Sequence, residues 1–315
     1  MQDGQNTASG VQLVEIGPEH KGQRIDNFLL RLAAGVPRSH VYRIIRKGQV
    51  RVNGGRVKPT RKLDVGDIVR VPPLSMKAKA VVSVPDAVAA RVSAAVVDEQ
   101  EDFLVLNKPA GLAVHGGSGL AFGLIDALRQ AREEPKLELV HRLDRGTSGC
   151  LLVAKNAGVA RQLQALFRSR TVNKQYLALT DGIWQQSAQT VTARLVSNQS
   201  HAGERRVMVQ ADGQEAVSHF ETIETYSNSS LVKVSIDTGR THQIRVHANH
   251  CGHPVIGDTR YGGNEMNAQY KRRGLGRMYL HASSLAFDWQ GQQCVFTAGV
   301  EKDWEQAVQE LSGAK

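Results

Sequence analysis

A concentration of basic residues in one short segment most constrains how these 315 residues fold. Between positions 11 and 75 there are 13 Lys or Arg and 5 Asp or Glu, so this fifth of the chain carries +8 of the net charge of +10. The composition changes after it, over residues 76–95, which are rich in Ala, Val and Lys. Because an ordinary domain has roughly 100 to 200 residues, the length and this break together predict two folded units.

The basic segment has the pattern of two short helices followed by a hairpin. An apolar stripe at i, i+3, i+4 and i+7 predicts a helix that begins near Ile25. A second amphipathic helix follows and ends at Gly48. A strand over residues 49–52 then reaches Asn53-Gly54, a strong hairpin signal. The segment is therefore predicted to fold as one small unit.

The charge of this unit indicates a polyanionic partner. A solvated basic surface is the alternative, and a membrane surface is disfavoured because the segment lacks Trp and a wide apolar helix face. The unit resembles the alpha-L RNA-binding module first known from a ribosomal small-subunit protein, through QRIDNFL, RSHVYRIIRKGQVRVNG and LDVGDIVRV. The side chains expected to bind RNA are Arg38, Arg43, Arg46, Lys47 and Arg51.

Strand and helix patterns mix from residue 95 onward. Strands outnumber helices without strict alternation, which predicts an α+β fold with a mixed sheet. With 41% hydrophobic and 22% charged residues, the composition is that of a globular protein. We expect a disordered tail over 1–10, the basic unit over 11–75, a linker over 76–94 and a larger domain over 95–315.

A carboxylate between two arginines is the first candidate for chemistry. Asp144 stands between Arg142 and Arg145, in a polar segment flanked by two apolar strand patterns. A nearby cation lowers the pKa of a carboxyl group, so such an aspartate stays ionised even in a dry site. An ordinary structural turn explains the same residues equally well, because Asp beside Thr, Ser and Gly is common loop chemistry.

The other polar segments give weaker signals. Tyr176 begins an apolar strand, where a tyrosine is usually part of the core. The Gly-rich stretch 106–119 fits neither GxGxxG nor GxxxxGK[ST], so no nucleotide cofactor is predicted. Four histidines and one cysteine crowd into residues 242–253, but without HExxH spacing, a Glu or a second Cys they do not predict a metal site. The three cysteines of the chain are far apart and predict no disulfide framework.

Taken together, these segments resemble the RluA-type family of pseudouridine synthases. The resemblance covers essentially the whole chain and implies a catalytic domain with a mixed, mainly antiparallel sheet flanked by helices. One position departs from the family pattern, since Gly146 stands where an acidic residue is usual. The matching motifs are KPxG at 108–111, HRLD-x-x-TSG at 141–149, KxYLAL at 174–179, GRTHQIRVH at 239–247 and GD-x-x-YG at 257–262.

The resemblance implies a role for each site residue. Asp144 is the catalytic carboxylate, Arg245 pairs with it, and Tyr176 stacks on the base and assists proton transfer. Arg142, with His141 before it, contacts the RNA and fills the gap left by the extruded uridine. The reaction transfers no electrons, so neither a cofactor nor a metal is expected. Whether Asp144 attacks C1′ or takes a proton from C2′ is left open by the residues.

The substrate implied by the resemblance is large-subunit ribosomal RNA, because the added RNA-binding module and the VHGGSG stretch are typical of family members that modify it. A synthase acting on transfer RNA, and an RNA-binding ribosome-assembly factor, are the alternatives. The chain has no apolar run of about 18 residues and no signal peptide, so a monomeric cytoplasmic protein without a membrane partner is expected.

Overall fold

The structure is a computed structural model that describes residues 10–32, 36, 38–73, 83–117, 120–199 and 205–313. It divides into two compact units, Met1–Ser83 and Val84–Lys315, which are described separately. The tail expected over 1–10 lies outside the described residues, apart from Gly10.

The first unit is a small antiparallel sheet with two helices. The sheet has the order β1-β4-β2-β3, and all its pairings are antiparallel. A 3-10 turn over Pro18–His20 precedes the first helix. The elements are β1 (Gln12–Glu15), α1 (Ile25–Leu32), α2 (Arg38–Arg46), β2 (Arg51–Val52), β3 (Gly55–Arg56) and β4 (Ile68–Val71).

The helices and the hairpin of this unit confirm the sequence prediction. The apolar stripes of α1 and α2 meet the sheet, and Ile25, Leu29 and Ile45 are at most 2% exposed. Asn53 and Gly54 have φ values of 49° and 80° between β2 and β3, as the two central residues of a type I′ turn require. Strand β1 was not expected, because its four residues, which alternate between half-buried and exposed, carry no strong apolar pattern.

The second unit is built on an eleven-stranded sheet among the described residues. Its main order is β11-β10-β12-β13-β9-β14-β8-β6-β5, with β15 paired to β14 and β7 to β8. The elements are α3 (Asp86–Ser93), β5 (Val96–Glu99), β6 (Phe103–Lys108), α4 (Leu124–Arg132), β7 (Glu138–Leu139), β8 (Ser148–Ala154), α5 (Ala157–Ser169), β9 (Asn173–Asp181), β10 (Ala188–Gln199), β11 (Arg205–Val209), β12 (Gln214–Thr225), β13 (Ser229–Ile236), α6 (Gln243–His250), α7 (Asn264–Arg272), β14 (Leu280–Trp289), β15 (Gln292–Thr297) and α8 (Lys302–Gly313).

The middle of this sheet confirms the predicted mixed, mainly antiparallel arrangement. β14 and β8 pair in parallel, and the other named pairings are antiparallel. Every residue of β8 is buried, as its continuous apolar run predicts. In β13 the alternating Val232, Val234 and Ile236 are the buried set. The loop that enters β8 is therefore attached to a strand that is buried along its whole length.

The linker expected over 76–94 differs from the structure in its second half. Residues 86–93 form α3, and Ala89 and Val92 are buried in the core of the second unit. The side-chain amide of Gln130 on α4 bonds both the N–H and the C=O of Val84, at 3.0 and 2.9 Å. Small apolar side chains let this short helix pack closely, although its composition lacks a clear helical period.

Among the described residues no helix is long and apolar enough to cross a membrane. Cys150, Cys251 and Cys294 are free thiols. Burial raises the pKa of Cys150 to about 12, so this thiol stays protonated and inert at neutral pH.

Candidate active site

The loop between β7 and β8 carries Asp144, and His141 fixes the start of this loop through contacts with β8 and α5. The backbone N–H of Leu152 donates to Nε2 of His141 at 3.0 Å, and the ring stacks on Phe167 with centroids 4.5 Å apart. Burial lowers the pKa of His141 to about 3, so the ring is neutral. These contacts fix the ring at the start of the loop, and contact between His141 and RNA stays a prediction.

Asp144 is the outer end of a chain of three charged groups. Nη1 of Arg245 donates to Oδ2 of Asp144 at 2.8 Å. The opposite edge of the same guanidinium group donates two hydrogen bonds to Asp258, from Nε at 2.7 Å and from Nη2 at 2.8 Å. The side chains of Asp144, Arg245 and Asp258 are 19%, 10% and 1% exposed. The carboxylate that faces the pocket is thus backed by a buried cation, and that cation by a fully buried carboxylate.

The electrostatics of the inner pair keep it ionised. Burial alone would lower the pKa of Arg245, but its hydrogen bonds and attraction to Asp258 and Asp144 raise that pKa above its ordinary value. Burial alone would raise the pKa of Asp258, but Arg245 and the N–H groups of Arg260 and Tyr261 hold it below the ordinary value. Arg245 therefore stays positive at any working pH.

The sequence neighbours of Asp144 do not form its ion pair. Arg145 is exposed and its Nε donates to the carbonyl of Gly111 at 2.9 Å. Arg142 is exposed at the mouth of the pocket. The cation expected from local spacing comes instead from Arg245, 101 positions away, as the family resemblance implied.

A pocket of about 90 Å³ opens in front of Asp144 and is lined by three of the other expected side chains, those of Arg142, Tyr176 and Arg245. Tyr176 lies in its wall, on the central strand β9. Burial and the charge of Asp144 raise the pKa of Tyr176, so its phenol is neutral. The lining residues are Arg142, Leu143, Asp144, Thr147, Tyr176, Ile236, Gly239, Arg240, His242, Gln243, Ile244, Arg245 and Leu280.

His242 is a site residue that the sequence reasoning placed only in the histidine cluster. Its backbone is left-handed, with φ 55°, at the start of α6. Its Nδ1 lies 2.7 Å from the hydroxyl of Tyr261, and its Nε2 lies 3.8 Å from Oδ2 of Asp144. Asp258 was also missed as a functional residue, although the GD-x-x-YG motif contains it. The ring of Tyr261 lies under the guanidinium of Arg245 at 5.1 Å.

The remaining histidines of that cluster point to different places. His247 is fully buried and its Nδ1 lies 3.0 Å from the hydroxyl of Ser218. Burial lowers the pKa of His247 to about 4. His253 stacks on Trp184 with centroids 4.7 Å apart. Among the described residues no group of three or more His, Cys, Asp or Glu side chains could hold a metal ion.

A buried lysine holds the same loop from the side of β6. Lys108 is 0% exposed, and its ammonium donates to the carbonyls of Pro109, Leu112 and Arg145 at 2.8, 2.7 and 3.3 Å. Desolvation lowers the pKa of Lys108 to about 7. One of these acceptors is the carbonyl of Arg145, the residue after Asp144. Lys108 therefore connects the KPxG turn to the loop that carries Asp144.

Two motif glycines stand where the backbone of another strand or turn passes very close. A Cβ on Gly149, which has φ 108°, would lie 2.1 Å from the carbonyl oxygen of Ala282. On Gly257, with φ 78°, it would lie 1.6 Å from that of Arg277. These two contacts fix β8 and the turn before Asp258. At Gly146 the added Cβ would lie 3.1 Å from Met278, so an apolar side chain fills the space behind the loop here.

The basic face of the first unit consists of Lys and Arg side chains that are not paired with carboxylates among the described residues. Arg43, Arg46, Lys47 and Arg51 are exposed, and among the described residues none forms an ion pair. By contrast, Arg24 pairs with Asp26 at 2.6 Å. The side chain of Arg38 lies outside the described residues.

Comparisons with known proteins agree with this arrangement. A family model described as RNA pseudouridylate synthase matches residues 102–250, and one described as the S4 domain matches residues 23–69. A Yersinia pestis protein named ribosomal large subunit pseudouridine synthase C is 50% identical over 282 residues, which are 88% of each chain. The chain belongs to the RNA pseudouridylate synthase family. A protein of the same name from Escherichia coli K12 is 45% identical over 97% of this chain and 98% of its own.

Solved structures of the family share the fold. The human RNA pseudouridylate synthase domain containing 4 protein gives a TM-score of 0.60 at 23% identity, over 72% of this chain and 96% of its own. The human domain containing 1 protein gives 0.57 at 27% identity, over 69% and 94%. The second unit is thus a pseudouridine synthase domain, and the first is an S4 domain.

Proposed function

We propose that this chain converts specific uridines of large-subunit ribosomal RNA to pseudouridine, with Asp144 as the catalytic carboxylate. The observation that carries the proposal is the contact of 2.8 Å between Arg245 and Asp144, which fixes the carboxyl group of Asp144 in the wall of the pocket. Relatives at 45–50% identity over nearly the full length bear the name of that large-subunit enzyme.

The reaction breaks the bond between C1′ and N1 of the uridine and joins C1′ to C5. The C5 proton is lost and N1 gains one, so the reaction is an isomerisation without electron transfer. It needs an anion beside the ribose and a pocket that retains the detached uracil. A nucleotide cofactor and a metal are therefore absent from the proposal, which also takes the chain to be a cytoplasmic monomer.

Asp144 supplies the anion, either as a nucleophile at C1′ or as a base at C2′. Arg245 orients it with the hydrogen bond of 2.8 Å. Asp258 fixes Arg245 through two hydrogen bonds, so the guanidinium does not have to reorganise during the reaction. This places the negative charge of Asp144 at a fixed point in the pocket before the uridine arrives.

Tyr176 forms the apolar side of the pocket. Its neutral phenol suits stacking against uracil and donation of a hydrogen bond, and its raised pKa makes it a poor base at neutral pH. Arg142 is exposed beside it, which supports the proposal that its side chain enters the RNA stack as the uridine leaves.

Mapping pseudouridines in ribosomal and transfer RNA from cells with and without this protein tests the proposal. We expect specific large-subunit sites to revert to uridine, and expression of the Asp144→Asn chain to leave them unmodified. Loss of modification only in transfer RNA would assign the alternative substrate. Full modification by the Asp144→Asn chain would leave an RNA-binding assembly factor as the better description.

A further inference from the structure

A second groove opens beside the catalytic pocket and carries an excess of cations. It has a volume of about 410 Å³ and shares Arg142, Tyr176, Ile236, Gly239 and Arg240 with the pocket. None of the described residues that line it is acidic. The residues that belong to this groove alone are His141, Phe167, Arg168, Arg170, Lys174 and Thr238.

Three of the four arginines of the groove have side chains without a partner among the described residues. Arg142, Arg168 and Arg170 are exposed, and among the described residues none of their side chains has a hydrogen bond or ion pair. Arg240 has one long bond, from Nε to the carbonyl of Glu215 at 3.4 Å. Several unpaired cations around one concave surface repel each other, so an anion bound there would be stabilised.

Lys174 adds a buried cation to the same wall. It is 6% exposed and its ammonium donates to the carbonyl of Val172 at 3.0 Å. The carboxylate whose charge acts on it, Asp237, lies 3.1 Å from the ring of His219 and forms no ion pair with Lys174. A buried ammonium without an ionic partner is costly, and a phosphate in the groove would supply that partner.

The backbone of Arg170 shows that the fold alone does not require an arginine there. Arg170 caps the end of α5 in the left-handed conformation, with φ 62°. Glycine is the residue that adopts this conformation without steric cost. An arginine at a strained glycine position therefore points to a use for its side chain.

We propose that this groove binds the phosphates of the RNA strand next to the target uridine, through Arg168, Arg170 and Lys174, with Arg240 at its junction with the pocket. The inference rests on the proposed function, because it places the uridine itself at Asp144. The groove holds the strand so that the extruded nucleotide stays in the pocket while its neighbours stay bound.

The test measures RNA binding by the full chain with Asp144→Asn, which prevents turnover. The probe is a stem-loop RNA whose uridine has been mapped in cells. Arg168→Gln with Arg170→Gly should weaken binding by about tenfold or more and flatten the log-log salt slope by about 1.4, at 0.7 per contact. The matched control is Arg161→Gln, an exposed arginine of the same helix outside the groove.

Neutral methylphosphonate linkages locate the contact. Replacing single phosphates beside the uridine should weaken binding to the chain with both arginines but leave binding to the double variant unchanged. The melting temperature of the Arg170→Gly chain should not fall, which separates lost contact from lost fold. Equal affinity and equal salt slope for the double variant and the Arg161→Gln control would overturn the inference.

A second measurement distinguishes this inference from the proposed function. It is pseudouridine formation in the same RNA by the original chain, in which Asp144 is intact. If pseudouridine forms while the groove variants bind like the control, the groove assignment fails and the function stands. If the groove variants lose affinity but no pseudouridine forms, the function fails and the phosphate site stands. If the probe does not bind at all, both are wrong.

Discussion

The pocket at Asp144 and the basic face of the S4 domain differ in whether their cations are paired with carboxylates. Arg245 is buried and divides its hydrogen bonds between two carboxylates. Arg43, Arg46, Lys47 and Arg51 are exposed and, among the described residues, form no ion pair. A neutralised cation can position another protein group but adds little attraction for RNA, whereas free cations attract phosphate. Variants in the two regions should therefore separate turnover from binding.

Replacing Asp144 by Asn should give the largest separation. The change keeps the shape and removes the negative charge, so we expect turnover to fall by at least about 10³-fold while the affinity for RNA stays within a few-fold. Single-turnover assays and filter binding on one RNA measure both. Asp86→Asn, an exposed aspartate of α3, is the control. Retention of a tenth of the turnover would remove Asp144 from the catalytic role.

Replacing Asp258 by Asn tests the second layer of the pocket. Breaking a buried ion pair on one side should lower the free energy of unfolding by about 3 kcal/mol. Turnover should fall by about 10²-fold, since a shift of about 1 Å in a catalytic group has that effect. Asp303→Asn is the control, because Asp303 pairs with Arg277 at 2.7 Å but is 48% exposed. Such a half-exposed pair contributes at most about 1 kcal/mol.

The pH dependence of stability checks the same pair. The pKa of Asp258 is lowered in the folded chain, so its contribution is complete above the unfolded pKa of about 3.9. It is lost as the pH falls through the lower folded pKa. Urea titrations should show the stability difference between the original chain and Asp258→Asn shrinking below about pH 4. A difference that stays constant down to pH 2 would contradict the ion-pair assignment.

Removing the charges of the S4 face should change binding and leave the chemistry intact. With Arg43, Arg46, Lys47 and Arg51 all changed to Gln, we expect the salt slope to flatten by up to about 3.6, at 0.9 per phosphate contact. The single-turnover rate at saturating RNA should not change. Lys136→Gln, an exposed lysine of the synthase domain, is the control. An unchanged slope would reduce this face to a solubility device.

Removing metal should have the smallest effect. The chemistry needs neither a Lewis acid nor a redox step, so we expect full activity in excess EDTA. Elemental analysis of the purified chain should find no stoichiometric zinc. About one zinc per chain, with activity that EDTA abolishes, would overturn this expectation.

How much of the site was predictable depends on how far apart in sequence its parts lie. The buried strand after Asp144 is local and was predicted from pattern alone. The same pattern made Asp144 a candidate but explained it equally well as part of a structural turn, so its catalytic role came from the family resemblance. The neighbours Arg142 and Arg145 were the wrong source for its cation, because local spacing does not show which way a loop side chain points. Arg245 lies on α6, and only the family motif, not any period or charge pattern, indicated it.

Elements without a strong apolar pattern were the ones missed in the fold. Strand β1 has four partly exposed residues, and its pairing with β4 follows from the tertiary fold. Helix α3 has the Ala- and Val-rich composition of a linker, and its burial against the core decides its structure. Asp258 was inside a matched motif, but a carboxylate that serves a buried arginine has no signature of its own.

The close backbone contacts at Gly149 and Gly257 limit which substitutions this sequence can accept during evolution. A side chain on Gly257 would collide with the backbone carbonyl of Arg277, and no rotamer relieves that collision. A saturation library should therefore tolerate many substitutions at Gly146, where the flexible Met278 can yield, and almost none at Gly149 and Gly257. Redirecting this enzyme to new RNAs can therefore use substitutions in the groove and on the S4 face, but both glycines have to be kept.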